Sequence, residues 1–262
     1  MTERALGHLI VRLYLASVLV FLYLPIAVMM LMAFNASPLY EFPFHFDTIW
    51  FKALIKNERL IESSLNSVLI AIANTVIATT VGTMGAIGLN RYQFRARPLL
   101  ELLLLPPITI PWLIIGTSML IFFFWSGIGR GLHAILLGHV ALSIPYVMIV
   151  VGARLKNHGS ALEEAAASLG ATPWQTFWRV SLPVLAPSII AAALFAFAVS
   201  FDQFVISYFL APPGTSTLPV EIYTAIRKGF TPEINAISTL IILLSMGLML
   251  LVARQYRFGG ER

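Results

Sequence analysis

Long apolar runs alternate with short polar segments along the whole chain. Six runs are read as helices crossing a bilayer: about residues 9–34, 64–89, 99–125, 132–153, 184–210 and 236–253. Leu13 to Tyr40 holds no charge, is densely apolar to Phe34, and follows Arg4 and Arg12. A secretory signal has an apolar core of only about 7–15 residues, so this run is read as an uncleaved first span. The mixed stretch Asn35 to Glu62 is an outside loop, with a short interfacial helix near Ile49 to Ile55. Trp50 and Phe51 suit its headgroup level. The second span presents Ala78, Gly82, Gly85 and Gly88, small residues that permit close helix contact. Pro106, Pro107 and Pro111 predict a kinked or unwound inner third of the third span, where Glu101 would help satisfy freed polar groups or, as the alternative, face a cytoplasmic partner. His139 and Pro145 lie in the fourth span; His139 reads as a satisfied interior histidine. A short helix is expected over Val220 to Arg227 in the last outside loop.

The longest polar-interrupted stretch, Ser160 to Pro183, lies within the loop 154–183. Ser160 with Glu163 fits a capping box opening a helix, and Ala161 to Leu169 favours that helix. Gly170 stands where a helix end wants positive φ. Thr172 with Gln175 is a second capping box, with Pro173 at the first helical position. The second helix is expected to stop near Val180, leaving a Leu182-Pro183 elbow before the fifth span.

Composition fits lipid as the main solvent. The 262 residues are 58% hydrophobic and 11% charged, against about 25% charged in soluble domains. The chain is expected to be one all-α domain, 1–262, immersed in membrane lipid. It has no cysteine, which excludes disulfides, thiolate metal sites and cysteine nucleophiles. The net charge of +5 is distributed as in a membrane protein, and no basic run interleaved with aromatics suggests nucleic acid. Six spans leave eleven Lys and Arg on one side: Arg4, Arg12, Arg91, Arg95, Arg97, Arg154, Lys156, Arg179, Arg254, Arg257 and Arg262. The other side has six: Lys52, Lys56, Arg59, Arg130, Arg227 and Lys228. That excess puts both termini and the loop 154–183 in the cytoplasm.

The motif in that loop is Glu164-Ala165-Ala166, then Gly170 after three residues, then Val180-Ser181-Leu182-Pro183 after nine more. It resembles the EAA loop of permease subunits of binding-protein-dependent ABC importers. The likeness spans essentially the whole chain. LYLPIAVMMLMAFNAS, RYQFRARP, SIPYVMIVVGARLKN and the stretch from Ser200 to Ala236 are similar to spermidine/putrescine permeases of the PotC type. Those permeases often show two adjacent acids where this chain has Asp202-Gln203.

The resemblance implies a type I importer permease fold of about six helices and an inner-membrane location. It implies a dimer of ABC ATPase subunits, a second homologous permease and a periplasmic substrate-binding protein as partners. Glu163, Glu164, Ala165, Ala166, Gly170, Leu182 and Pro183 would couple to the ATPase, whose closure moves the loop as a rigid body. No Gly-x-x-x-x-Gly-Lys-Ser/Thr phosphate loop occurs, so MgATP would sit on the partner, and the chain itself is no enzyme. The implied solute is a small organic cation, a polyamine. Opines, phosphonates and ferric iron are the alternatives within the same machine.

Candidates for the path cluster in the fifth span. Asp202 is the one acid well inside an apolar run. Eighteen residues from Val184 reach roughly 27 Å at about 1.5 Å per residue, near the outer end of the membrane core. Ser200, Gln203 and Ser207 would share a face of a continuous helix. Tyr208, with Phe201 and Phe204, offers ring faces to an ammonium group. Pairing of Asp202 with Arg227 or Lys228 is the competing reading. A stand-alone secondary transporter would favour internal repeats, which are not evident. A membrane enzyme would need a His-Glu-x-x-His, Gly-x-Ser-x-Gly or paired-acid site, and none occurs.

Overall fold

The computed structural model describes residues 3–38, 41–104, 106–158, 161–229 and 232–259, and their side chains except those of 3–7, 158 and 248–259. In order these form α1 (Glu3–Met32), α2 (Ile49–Lys56), α3 (Glu58–Arg91), α4 (Arg97–Leu103), α5 (Pro106–Thr109), α6 (Trp112–Trp125) and α7 (Leu132–His158). Then follow α8 (Ala161–Ser168), α9 (Pro173–Thr176), a π turn (Phe177–Ser181), α10 (Leu182–Phe201), α11 (Val205–Leu210), α12 (Leu218–Lys228) and α13 (Glu233–Gly259). Among the described residues there is no strand, only an isolated bridge between Asn35 and Phe46.

Among the described residues four helices are long and apolar enough to cross a bilayer: His8–Met32, Glu58–Arg91, Leu132–Asn157 and the continuous Pro173–Phe201. Arg97–Thr109 and Trp112–Trp125 make a fifth crossing if counted as one span bent by 113°. The bend falls at the prolines, as their missing donors require. Glu101 does not serve the freed groups there. Its carboxylate accepts a 2.9 Å bond from Arg97 Nε, one turn away. The sixth expected run, 236–253, lies within α13, whose apolar part is described as far as Gly247, with the remaining side chains of that run outside the described ones.

The chain divides into two compact units. In the unit of Met1–Ile61 with Ile222–Arg262, α13 packs against α1 and α2. Buried Asn35 organises the link before α2. Its amide donates to the Glu41 carbonyl, its Oδ1 accepts from the His45 N–H, and its own carbonyl accepts from the Trp50 indole at 2.7 Å. Trp50 is thereby anchored to the protein as well as suited to the headgroups.

The unit Glu62–Glu221 is built on α7, which packs along α10 and also meets α5, α6 and α11. One apolar cluster joins Ile135 and Leu142 to Ile206 and Leu210; another joins Val147 and Val151 to Leu185, Ala192 and Ala196. Close approach explains two of the small residues of α3. A Cβ at Gly82 would stand 2.7 Å from Val147, and one at Gly85 would stand 2.8 Å from Met148. Gly88 differs from expectation, having nothing within 4 Å of such an atom.

Candidate functional site

The loop after α7 starts later than expected, because the helix continues through His158 instead of ending near 153. Ser160, the expected first cap, lies outside the described residues. α8 ends where the Ala171 N–H reaches back to the Ala166 carbonyl and Gly170 takes φ +84°. Thr172 then caps α9 reciprocally: its Oγ1 accepts from the Gln175 N–H, while Gln175 Oε1 accepts from the Thr172 N–H. Both expected turns of the loop are therefore formed.

The expected elbow at Leu182-Pro183 is not. The chain passes from α9 through the π turn into α10 without stopping. Pro183 has no N–H to give to the carbonyl four residues back. One added residue in the preceding turn accommodates this: the Leu182 N–H bonds to the Phe177 carbonyl, five residues away. Leu182 and Pro183 thus open the first turn of a membrane helix.

The motif residues face two ways. Glu163 is half-buried and turned into the protein, where its Oε1 accepts from Arg91 Nη2 at 3.0 Å and from Ser181 Oγ at 2.8 Å. It brackets α8 to the end of α3 and to the π turn, so its geometry is internal and not that of an outward partner contact. Behind it lies a cleft of about 460 Å³ bordered by Arg91, Ala167, Ala171, Thr176 and Ser181. Glu164 and Ala165 are on the exposed side of α8, and Ala166 is half-buried. Nearby, Leu169 is 89% and Trp174 is 70% exposed. Trp174, Phe177 and Trp178 pack ring against ring at 5.4–6.4 Å. An apolar group held rigid and left uncovered is what a partner surface requires.

The second candidate region departs from the continuous helix expected over 184–210. α10 ends at Phe201, and α11 begins at Val205. Asp202 is the C-cap of α10 and exposed, and its side chain makes no hydrogen bond or ion pair among the described residues. It therefore sits at a break and not within an apolar helix. Gln203 is buried; its Oε1 accepts from the Val205 N–H and so caps α11, while its Nε2 has no acceptor among the described residues. Ser200 and Ser207 are buried on either side of the break. Tyr208 is 42% exposed, with its ring against Phe204 and Phe209. In the other unit, Arg227 lies over the Tyr223 ring.

His139 is the residue whose connection to these the sequence did not reveal. One ring nitrogen is 2.8 Å from Ser200 Oγ and the other 3.1 Å from Ser207 Oγ. The reading as a satisfied interior histidine holds, and its partners are two of the path candidates. Four residues on, Ser143 accepts from Asn74 Nδ2, which also donates to the Ala196 carbonyl. A buried polar ladder thus crosses the apolar contact of α3, α7 and α10. Its sequence signal is the spacing of four shared by His139 and Ser143 and by Ala196 and Ser200.

Residues 78–259 match the family of the binding-protein-dependent transport system inner membrane component. The chain is 30% identical over 258 residues to the spermidine/putrescine transport system permease protein PotC of Escherichia coli K12, covering 97% of this chain and 98% of that one. It is 35% identical over 230 residues to the putrescine transport system permease protein PotI of the same organism, covering 85% and 82%. Its fold is similar to a bacterial ABC transporter involved in import of the acidic polysaccharide alginate, with TM-score 0.76, 18% identity, and coverage of 98% and 96%. The MetNI methionine ABC transporter is also similar, with TM-score 0.59, 17% identity, and coverage of 79% and 100%.

Proposed function

Since the chain belongs to the family of inner-membrane components of binding-protein-dependent transport systems, and is an ABC importer permease subunit, we propose that it carries a polyamine inward by ATP-driven alternating access. The relatives named for spermidine and putrescine, matched over most of both chains, support the solute class. The observation that carries the reading is the break at Asp202. A carboxylate at a break between two apolar helices is costly unless it faces water or a cation. Interrupted backbone at membrane depth is tolerated where it lines a cavity or is buried in protein.

Energy enters at the opposite end of the same helix. Glu164, Leu169, Trp174 and Trp178 form the face offered to an ATPase dimer that holds MgATP. Gly170 and the Thr172 cap fix the shape of that face. Glu163 passes its displacement to α3 and α10 through Arg91 and Ser181. A second permease completes the path, and a periplasmic binding protein delivers the solute. The bent third span is the other place where the structure yields.

Reconstitution tests the proposal. The chain, assembled with its ATPase, second permease and binding protein in proteoliposomes, should accumulate radiolabelled putrescine or spermidine with ATP and not without it. Accumulation of an anionic or neutral solute instead would overturn the polyamine assignment and leave the permease role in place.

A further inference from the structure

Ser200 and Ser207 are seven residues apart. In an unbroken helix that separation is about 10.5 Å along the axis. One imidazole ring with hydrogen bonds of 2.8 and 3.1 Å cannot reach both hydroxyls across such a distance. The break at residues 202–204 brings them to a single ring. A neutral imidazole has one donor and one acceptor nitrogen, so either tautomer satisfies the pair if one hydroxyl donates and the other accepts.

The surroundings hold each half of the helix separately. α10 is tied to α7 and α3 one turn earlier through Asn74, Ser143 and Ala196. α11 sits against Gly138 of α7, where an added Cβ would stand 2.7 Å from Ile206. Gln203 caps α11 from within the break. His139 is the bonded side chain that reaches both halves, and it is 2% exposed.

We propose that His139 is a positioning residue for transport: by binding one hydroxyl on each side of the break, it holds the angle between α10 and α11 that sets Asp202 at the solute path. The inference rests on the permease reading but not on the identity of the solute. His139 touches no solute and moves no proton; it fixes backbone geometry. Bonds within a buried polar set act as a unit, so their removal is non-additive.

The test uses the full transport complex in proteoliposomes, with solute moved per ATP hydrolysed as the readout. His139→Leu should assemble and lower that ratio about tenfold, the scale of a lost buried hydrogen bond. His139→Gln, which can donate and accept, should recover a large part of it. Adding Ser207→Ala to His139→Leu should cause no further loss. A single cysteine replacing Phe204 should label faster with a water-soluble maleimide in the His139→Leu background. A wild-type ratio in His139→Leu, equal losses for Leu and Gln, or additive losses in the double variant would overturn the proposal. If His139→Leu does not assemble, Ser207→Ala alone decides, and an unchanged ratio there overturns it. A wild-type complex that moves no solute would overturn the permease reading instead.

Discussion

At Gly170 the backbone, not crowding, makes the demand. Its φ is +84°, and an added Cβ would meet nothing within 4 Å among the described residues. A side chain there costs about 1–3 kcal/mol through the left-handed conformation alone. A β-branched residue is the worst choice. Gly170→Val should therefore abolish uptake while the protein still inserts. Normal uptake with normal ATPase association in that variant would refute the role. The two glutamates of α8 should separate by assay. Glu163→Ala removes the acceptor of a half-buried charged pair and should destabilise by roughly 1–3 kcal/mol in thermal unfolding. Glu164→Ala should shift unfolding less than Glu163→Ala does and weaken ATPase association. Equal behaviour of the two in both assays would contradict the inward and outward division. Asp202→Asn should slow uptake of a cationic solute with binding-protein affinity unchanged; wild-type uptake would make that acid structural. Gln203 keeps an acceptor for the Val205 N–H without burying a charge, which fits its place beneath the exposed Asp202.

Among the elements, those written in local chemistry were legible. The Thr172 cap, the Gly170 turn, the broken third span at Pro106 and Pro111, and the short helices α2 and α12 follow from residues close to one another in the chain. Features that depend on distant partners were not. The break after Phe201 has no proline or glycine beside it, the nearest being Pro187 and Pro212, and its partner His139 is 61 residues away from Ser200. The inward turn of Glu163 depends on Arg91, 72 residues away. Pro183 was legible as a disturbance but not as its remedy. A proline can end a helix or be absorbed by a widened turn, and the packing of α10 on α7 favours continuity here. Restoring a helical residue count by deleting one residue of Phe177–Ser181 should therefore damage transport more than Pro183→Ala does, measured as uptake in cells.

For the whole molecule, the excess of Lys and Arg predicts which side each loop occupies. The chain lacks cysteine, so single cysteines report cleanly. A cysteine at Ser168 should be protected from a membrane-impermeant maleimide in intact cells, and cysteines at Ser126 and Thr215 should label. The opposite pattern would reverse the topology.

The unbroken helix from Pro173 to Phe201 sets the scale of movement. Its 29 residues make a rod about 43 Å long at about 1.5 Å per residue. Pivoting that rod by about 5° about one end carries the other end about 4 Å, by the same rise per residue. A rotation small enough to leave most packed side chains in contact near the pivot becomes, beside Asp202, a shift about as wide as a methylene group. With the elbow absent and the π turn in its place, little of that amplitude is absorbed on the way.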